Sequence, residues 1–306
     1  MQTIDLLGVS AGKIRAAIRE AEKNYNDEVA CVSSVLAADT SFRYLLLSGP
    51  SCSGKTTTAA KIAGALAAAG RRVTVISIDD FYKEYDSLMR TSENGDDIDF
   101  ESVSSIDLEC LKDVAEGLNA GDTVKLPKYD FTTNKRISFE VFTPKANDVY
   151  IFEGIQAMYP EIMQLFPSSS TRRLFVTINS DLVASGVEID KPTLRLVRRI
   201  VRDFKFRAAS PTFTLSLWHN VRANEITNIM PNIRTQDIVL DTLLPYEEYI
   251  LAGRLAALLP KVDESDPYAE RFRALYDRLL PLAASNVRAN MVPKDSLLRE
   301  FIGPNA

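Results

Sequence analysis

A single histidine, His219, serves a chain of 306 residues, so a histidine-built metal centre is excluded and a Ser/His/Asp hydrolase would need that residue as its base. It reads as a structural or surface residue. Cysteine is scarce too: Cys31, Cys52 and Cys110 are widely spaced without a CxxC pair, which argues against a disulfide framework or a zinc site and for a reducing compartment. No apolar run approaches the roughly 20 residues needed to span a bilayer. The opening MQTIDLLGVSAGKIRAAIREAEKN has no basic stretch followed by a sustained apolar one, so a cytoplasmic protein is expected. Excess positive charge is also missing. The formal net charge is −5, with both signs interspersed, which argues against nucleic acid and for a small-molecule partner; self-association into a homo-oligomer stays open.

Against these absences stands one specific motif. GPSCSGKTTT, Gly49–Thr58, fits G-x-x-x-x-G-K-[ST] and lies between the apolar run RYLLLS and an alanine-rich helical segment capped by Gly70. RRVTVISI follows as a second strand, so residues 43–78 form the strand, phosphate loop, helix, strand unit that such a loop requires. DVYIFEGI, RRLFVTI and QDIVLDT supply three more core strands.

Around that unit, residues 10–38 carry apolar spacing for two short helices broken by NYND, and 84–104 form an acidic loop expected over the active face. A helix is expected near 108–118, and TVKLPKYDF and RISFEVFTPK flank a turn at TTNK as a small hairpin outside the main sheet. TLRLVRRIVRDFKFR is a basic helix, and the chain from about Tyr246 is helical with a packed tail, SLLREFIG. The expected organisation is a helical lead-in at 1–42, a core at 43–245 and a helical extension at 246–306. The fold class is α/β, a doubly wound, mostly parallel sheet of the P-loop NTPase kind, whose ligands gather at the C-terminal strand ends.

Four features fall at those ends. The loop's backbone N–H groups and the following helix N-terminus can surround a polyphosphate through Gly49, Ser51, Cys52, Ser53, Gly54, Lys55, Thr56 and Thr57, with Lys55 on the outer phosphates and the Thr56 hydroxyl toward Mg2+. Asp79 of SIDDFY could take a proton from an acceptor hydroxyl or hold magnesium through water, while Asp80 reads as a helix cap. Glu153, after four apolar strand residues, is costly to bury without a nearby cation, and magnesium would supply one. The run Arg195, Arg198, Arg199, Arg202, Lys205 and Arg207 is either a solvated face or a set of charges that closes on a transferring phosphoryl group.

With GPSCSGKTTT, SIDDFY, NGDDIDFES, LPKYDFTTNKR, IFEGI, RLVRRIVRDFKFR and SLLREFIG in order over residues 43–303, the chain resembles the uridine kinase and phosphoribulokinase group of P-loop kinases, especially bacterial uridine kinase-like nucleoside kinases. The resemblance implies ATP- or GTP-dependent phosphorylation of a nucleoside 5′-hydroxyl, uridine or cytidine being favoured, and an arginine-bearing helical lid. It places Asp79 on the catalytic carboxylate and Glu101 on the acid that grips the ribose hydroxyls. Tyr82, Tyr129 and Phe131 fall where aromatics line the nucleoside pocket, and Arg199, Arg202 and Arg207 where the lid meets phosphate. Asn134 stands where uridine-cytidine kinases carry a base-contacting histidine, Ala209 where they carry an arginine, and Glu101 where they use aspartate. Two further readings stay open: a kinase of another small alcohol or sugar phosphate, and a regulator that uses the nucleotide only as a switch.

Overall fold

The polar NYND does not break the first helix. After a short strand β1 (Gln2–Ile4), helix α1 runs unbroken over Ala11–Ala38, because Tyr25 continues the buried stripe of Ile14, Ile18, Ala21, Val29 and Leu36 while Asn24 and Asp27 face outward. The expected pair of short helices is therefore one element. This computed structural model describes residues 1–84, 101–131, 133–234 and 237–304, so most of the expected acidic loop (85–100) lies outside the described residues.

The central sheet holds β2 (Tyr44–Ser48), β3 (Val73–Ser77), β6 (Val149–Glu153), β7 (Thr171–Thr177) and β10 (Ile238–Asp241), in the order β10-β7-β2-β6-β3 and parallel throughout. Every residue of β2 is buried, with Leu45 and Leu47 in one core and Tyr44 and Leu46 in the other, the alternation of a strand covered on both faces. Strand order reverses at β2, so the crevice at its C-terminal end is the topological switch point where ligands bind in open α/β sheets. The loop after β2, Asp79 after β3 and Glu153 at the end of β6 all reach that edge.

One face of the sheet is covered by α1, α2 (Lys55–Ala68), α4 (Lys191–Arg207), α5 (Pro211–Asn224), α6 (Glu247–Leu258) and α7 (Ala269–Ala283), in a buried cluster that runs from Leu6 to Ile302. The other face packs against α3 (Leu108–Ala120) and the antiparallel hairpin β4 (Val124–Asp130) and β5 (Lys135–Phe142), which forms its own two-stranded sheet as expected. Helix α5 and a third small sheet, β1-β8-β9 with β8 (Leu182–Ala184) and β9 (Val187–Ile189), had no clear periodic signal in sequence. No helix among the described residues is long and apolar enough to cross a membrane.

Candidate active site

The phosphate loop is held open from behind. Its successive carbonyls are taken on one side: Ser51 O accepts from Arg195 Nη1 (3.3 Å), Cys52 O from Arg198 Nη1 (3.2 Å) and Ser53 O from Thr242 Oγ1 (2.7 Å). With the carbonyls committed, the remaining N–H groups are what the loop offers, the polarity an anion needs. Gly49 is required by close approach, since a Cβ there would stand 2.0 Å from Val176 O; Gly54 is required by its φ of +88°. The Ser53 hydroxyl, buried inside the loop, finds no partner among the described residues.

This arrangement corrects the reading of the basic helix. Arg195 and Arg198 are fully buried, paired with Glu225 and Glu247, and they brace the loop instead of meeting solvent or substrate. Helix α4 is packed into the core through Leu194, Val197 and Ile200. Arg199 donates to Ser51 Oγ at 2.9 Å and pairs with Asp203 at 3.3 Å and Glu101 at 3.6 Å. Asp203 also pairs with Arg202 at 2.7 Å and Arg207 at 3.7 Å, so one buried carboxylate gathers three arginines. Sequence reasoning passed over Asp203, although its four-residue spacing from Arg199 and Arg207 is the signal that finds it.

Four residues assigned to catalysis converge. Burial raises the pKa of Asp79, and Lys55, Arg207 and Arg202 pull it back, so all three cations lie within electrostatic reach of that carboxylate. Asp79 keeps partial access to solvent at the mouth of the crevice. Its neighbour Asp80 caps no helix; it accepts from Tyr129 N (3.1 Å) and Lys128 Nζ (3.0 Å), tying the hairpin to the end of β3. Adjacent carboxylates thus divide between the site and its support.

Thr56 Oγ1 donates to Glu153 Oε1 at 3.2 Å. Burial first, then the charge of Asp79, pushes the Glu153 carboxyl up to about 7. A hydroxyl and two carboxylates are the hard oxygen donors magnesium prefers, and a dication would remove the repulsion between Glu153 and Asp79. The residues fit Mg2+. No group of three or more His, Cys, Asp or Glu side chains gathers for a metal among the described residues, so phosphate oxygens and water would complete the shell.

On the acceptor side, the three aromatics assigned to the pocket meet: ring centroids are 5.8 Å apart for Tyr82 and Tyr129, 6.0 Å for Tyr82 and Phe131, and 5.1 Å for Tyr129 and Phe131. The charges of both Asp79 and Glu101 help raise the Tyr82 pKa after burial, so both acids lie within electrostatic reach of the cluster. Glu101 Oε2 accepts from Asn224 Nδ2 at 3.0 Å, while Tyr159 Oη donates to the Glu101 carbonyl at 3.1 Å. Asn224, at the end of α5 where a π-helical turn Glu225–Ile229 begins, was not foreseen; no local pattern marks it, because its partner is 123 residues away. Asn134 sits at the hairpin turn with a φ of +53°, a conformation asparagine tolerates better than most residues, so the turn itself gives a reason for it. His219 is exposed on α5 and takes no part in the crevice.

The chain is similar to several characterised proteins. It is 31% identical over 165 residues to a uridine kinase of Schizosaccharomyces pombe, covering 54% of this chain and 32% of that protein. It is 30% identical over 196 residues to mouse uridine-cytidine kinase-like 1, covering 63% of this chain and 32% of that one. The chain thus spans about a third of the length of these two relatives. A crystal structure of a protein described as a candidate fructose transport system kinase from a Silicibacter species superposes with a TM-score of 0.51 at 19% identity, over 69% of this chain and 98% of that one, which shows the shared fold. The sequence profile of the Phosphoribulokinase / Uridine kinase family matches residues 45–247, a span that contains the phosphate loop, Asp79, Glu101, Glu153 and the arginines of α4. With those residues gathered at one sheet edge, the chain belongs to the phosphoribulokinase and uridine kinase family.

Proposed function

We propose that this protein transfers the γ-phosphate of ATP or GTP to the 5′-hydroxyl of a ribonucleoside, with uridine and cytidine the favoured acceptors. The observation that carries the reading is that Lys55, Arg202 and Arg207 all lie within electrostatic reach of Asp79, and that Tyr82, coupled to the same carboxylate, heads an aromatic cluster with Tyr129 and Phe131. Phosphoryl transfer needs that combination: a base for the acceptor proton and positive charge where negative charge spreads over the phosphoryl oxygens.

In this reading the loop N–H groups and Lys55 hold the polyphosphate, and the nucleoside lies against Tyr82, Tyr129 and Phe131 with its ribose toward Glu101. Asp79 accepts the 5′-hydroxyl proton, for which a carboxylate held above its usual pKa is better suited than an ordinary one. Arg202 and Arg207, oriented by Asp203, stabilise the transferring group. Thr56 and Glu153, with Asp79 nearby, would hold magnesium, which would supply charge neutralisation on the phosphate oxygens.

Nucleotide turnover measured with and without a panel of ribonucleosides tests the proposal. Stimulation by a ribonucleoside supports it. Stimulation only by a sugar phosphate or another small alcohol moves the acceptor, and acceptor-independent hydrolysis alone indicates a nucleotide switch.

A further inference from the structure

Glu300, near the C-terminus, reaches the start of the phosphate-binding helix. Its Oε2 accepts from the Thr57 backbone N–H at 3.2 Å and from Thr57 Oγ1 at 2.7 Å, across 243 residues of sequence. Thr57 lies in the first turn of α2, where N–H groups lack intrahelical partners and the helix dipole favours negative charge. Those are donors that a loop of this type presents to a nucleotide's phosphates. The carboxylate and the donor nucleotide therefore seek the same N–H.

A second contact seats the tail on the loop. Leu297 Cδ1 stands 2.4 Å from where a Cβ on Gly54 would be, so the tail rests on the loop glycine as well as on the helix start. The negative charge of Glu300 also reaches the metal-side carboxylate, where it helps raise the Glu153 pKa after burial and Asp79. The tail backbone is fixed: Leu297, Leu298, Phe301 and Ile302 are fully buried, Lys205 Nζ donates to Ile302 O at 2.6 Å, and the Phe301 ring lies under Arg198 at 5.0 Å. The Glu300 side chain is half-buried and lies outside the core, so it can move without dismantling it.

We propose that Glu300 is a donor-site residue whose carboxylate stands in for a nucleotide phosphate at Thr57 and swings aside when the nucleotide binds. The inference rests on the kinase reading only in taking a nucleoside polyphosphate as the loop's ligand. It satisfies the Thr57 N–H and hydroxyl in the free protein, and it lowers donor affinity by the fraction of time the carboxylate is in place. Tail and donor site are thereby coupled through one side chain.

Calorimetric titration of the full chain with ATP and magnesium, and separately with ADP, tests this without reference to turnover. Glu300→Ala removes the competing acceptor and should tighten both nucleotides about three- to tenfold; Glu300→Gln, which keeps a neutral acceptor, should fall between it and the wild type. Asp295→Asn removes a nearby exposed charge that pairs with Lys61 at 3.6 Å and leaves Thr57 untouched, so its affinity should match the wild type. Melting curves identify any variant that fails to fold, and Glu300→Gln, which preserves size and an acceptor, then carries the comparison. Unchanged affinity in the Glu300 variants would reduce the contact to a helix cap, and weaker binding would make Glu300 a support of the nucleotide; either result overturns the proposal while leaving the kinase reading intact. Failure of the wild-type protein to bind either nucleotide would overturn both.

Discussion

Thr56 Oγ1 and Glu153 Oε1 meet at 3.2 Å where the loop after β2 crosses the end of β6. The contact joins a residue chosen for its hydroxyl to one whose burial is otherwise unfavourable. In the free protein the Glu153 carboxyl is held at about 7, so near neutral pH it is only partly ionised.

That raised pKa gives a signed pH dependence. A carboxyl whose folded pKa of about 7 exceeds its ordinary 4.5 stabilises the fold fully below 4.5, and the contribution is lost as pH rises through 7. Glu153→Gln removes the titration and keeps an acceptor for Thr56. In metal-free urea denaturation the variant should match the wild type near pH 4 and exceed it by roughly 3 kcal/mol above pH 8. A constant difference across this range would show that Glu153 is not the titrating group.

Among the described residues Lys55 donates to Pro50 O at 3.2 Å, and it has no place in the buried apolar clusters. Lys55→Ala should therefore keep the circular dichroism spectrum and melting point of the wild type while slowing transfer about a hundredfold to a thousandfold, the scale of removing one electrostatic stabiliser. Near-normal turnover would remove Lys55 from the mechanism.

Arg207 is half exposed, whereas Arg202 is more buried, yet the charge of each lowers the Asp79 pKa against the effect of burial. Arg202→Ala and Arg207→Ala should each lower kcat more than they raise the acceptor KM, because their charge matters most in the transition state. An effect on the acceptor KM alone would assign the arginine to nucleoside binding. Asp203→Asn should reproduce part of the kcat loss in both, since it loosens the arginines without removing them.

Glu101 is the expected ribose clamp, and Asn224 holds it. On the proposed function the protein should prefer ribonucleosides to 2′-deoxynucleosides, and Glu101→Ala should erase the preference. A site that pairs a hydroxyl can reject an analogue lacking it by up to about 10⁴. Asn224→Ala should weaken the preference, and Asn224→Asp, of equal size but unable to donate from an amide, should weaken it at least as much. Equal use of both sugars by the wild type would show that Glu101 serves another role.

The phosphate loop was legible in the sequence because its constraints are local: glycines where backbone approaches closely or turns left-handed, Lys55 and Thr56 at fixed offsets, an apolar strand before and a helix after. Strands β2 and β6 were legible because a strand buried on both faces must be apolar along its length, and β3, β7 and β10 because each keeps a short β-branched or aromatic apolar run. Asp79 was legible as the carboxylate at the end of a core strand, whereas Tyr82, Glu101, Tyr129 and Phe131 came through an ordered resemblance, and the fold brings the three rings into contact. What NYND meant was decided by tertiary packing, because Tyr25 fills a place against α2, its hydroxyl bonded to Thr58, that an isolated stretch of polar residues does not reveal. The fate of the basic helix was decided in the same way. Composition gives a row of arginines, but whether each is solvated, braces a carbonyl or faces a phosphate depends on Glu225, Glu247 and Asp203, two of which lie far along the chain. Asn224 at Glu101 and Glu300 at Thr57 belong to this second class: a polar side chain carries no sequence mark of its partner, since hydrogen-bond geometry exists only once distant segments have been brought within about 3 Å.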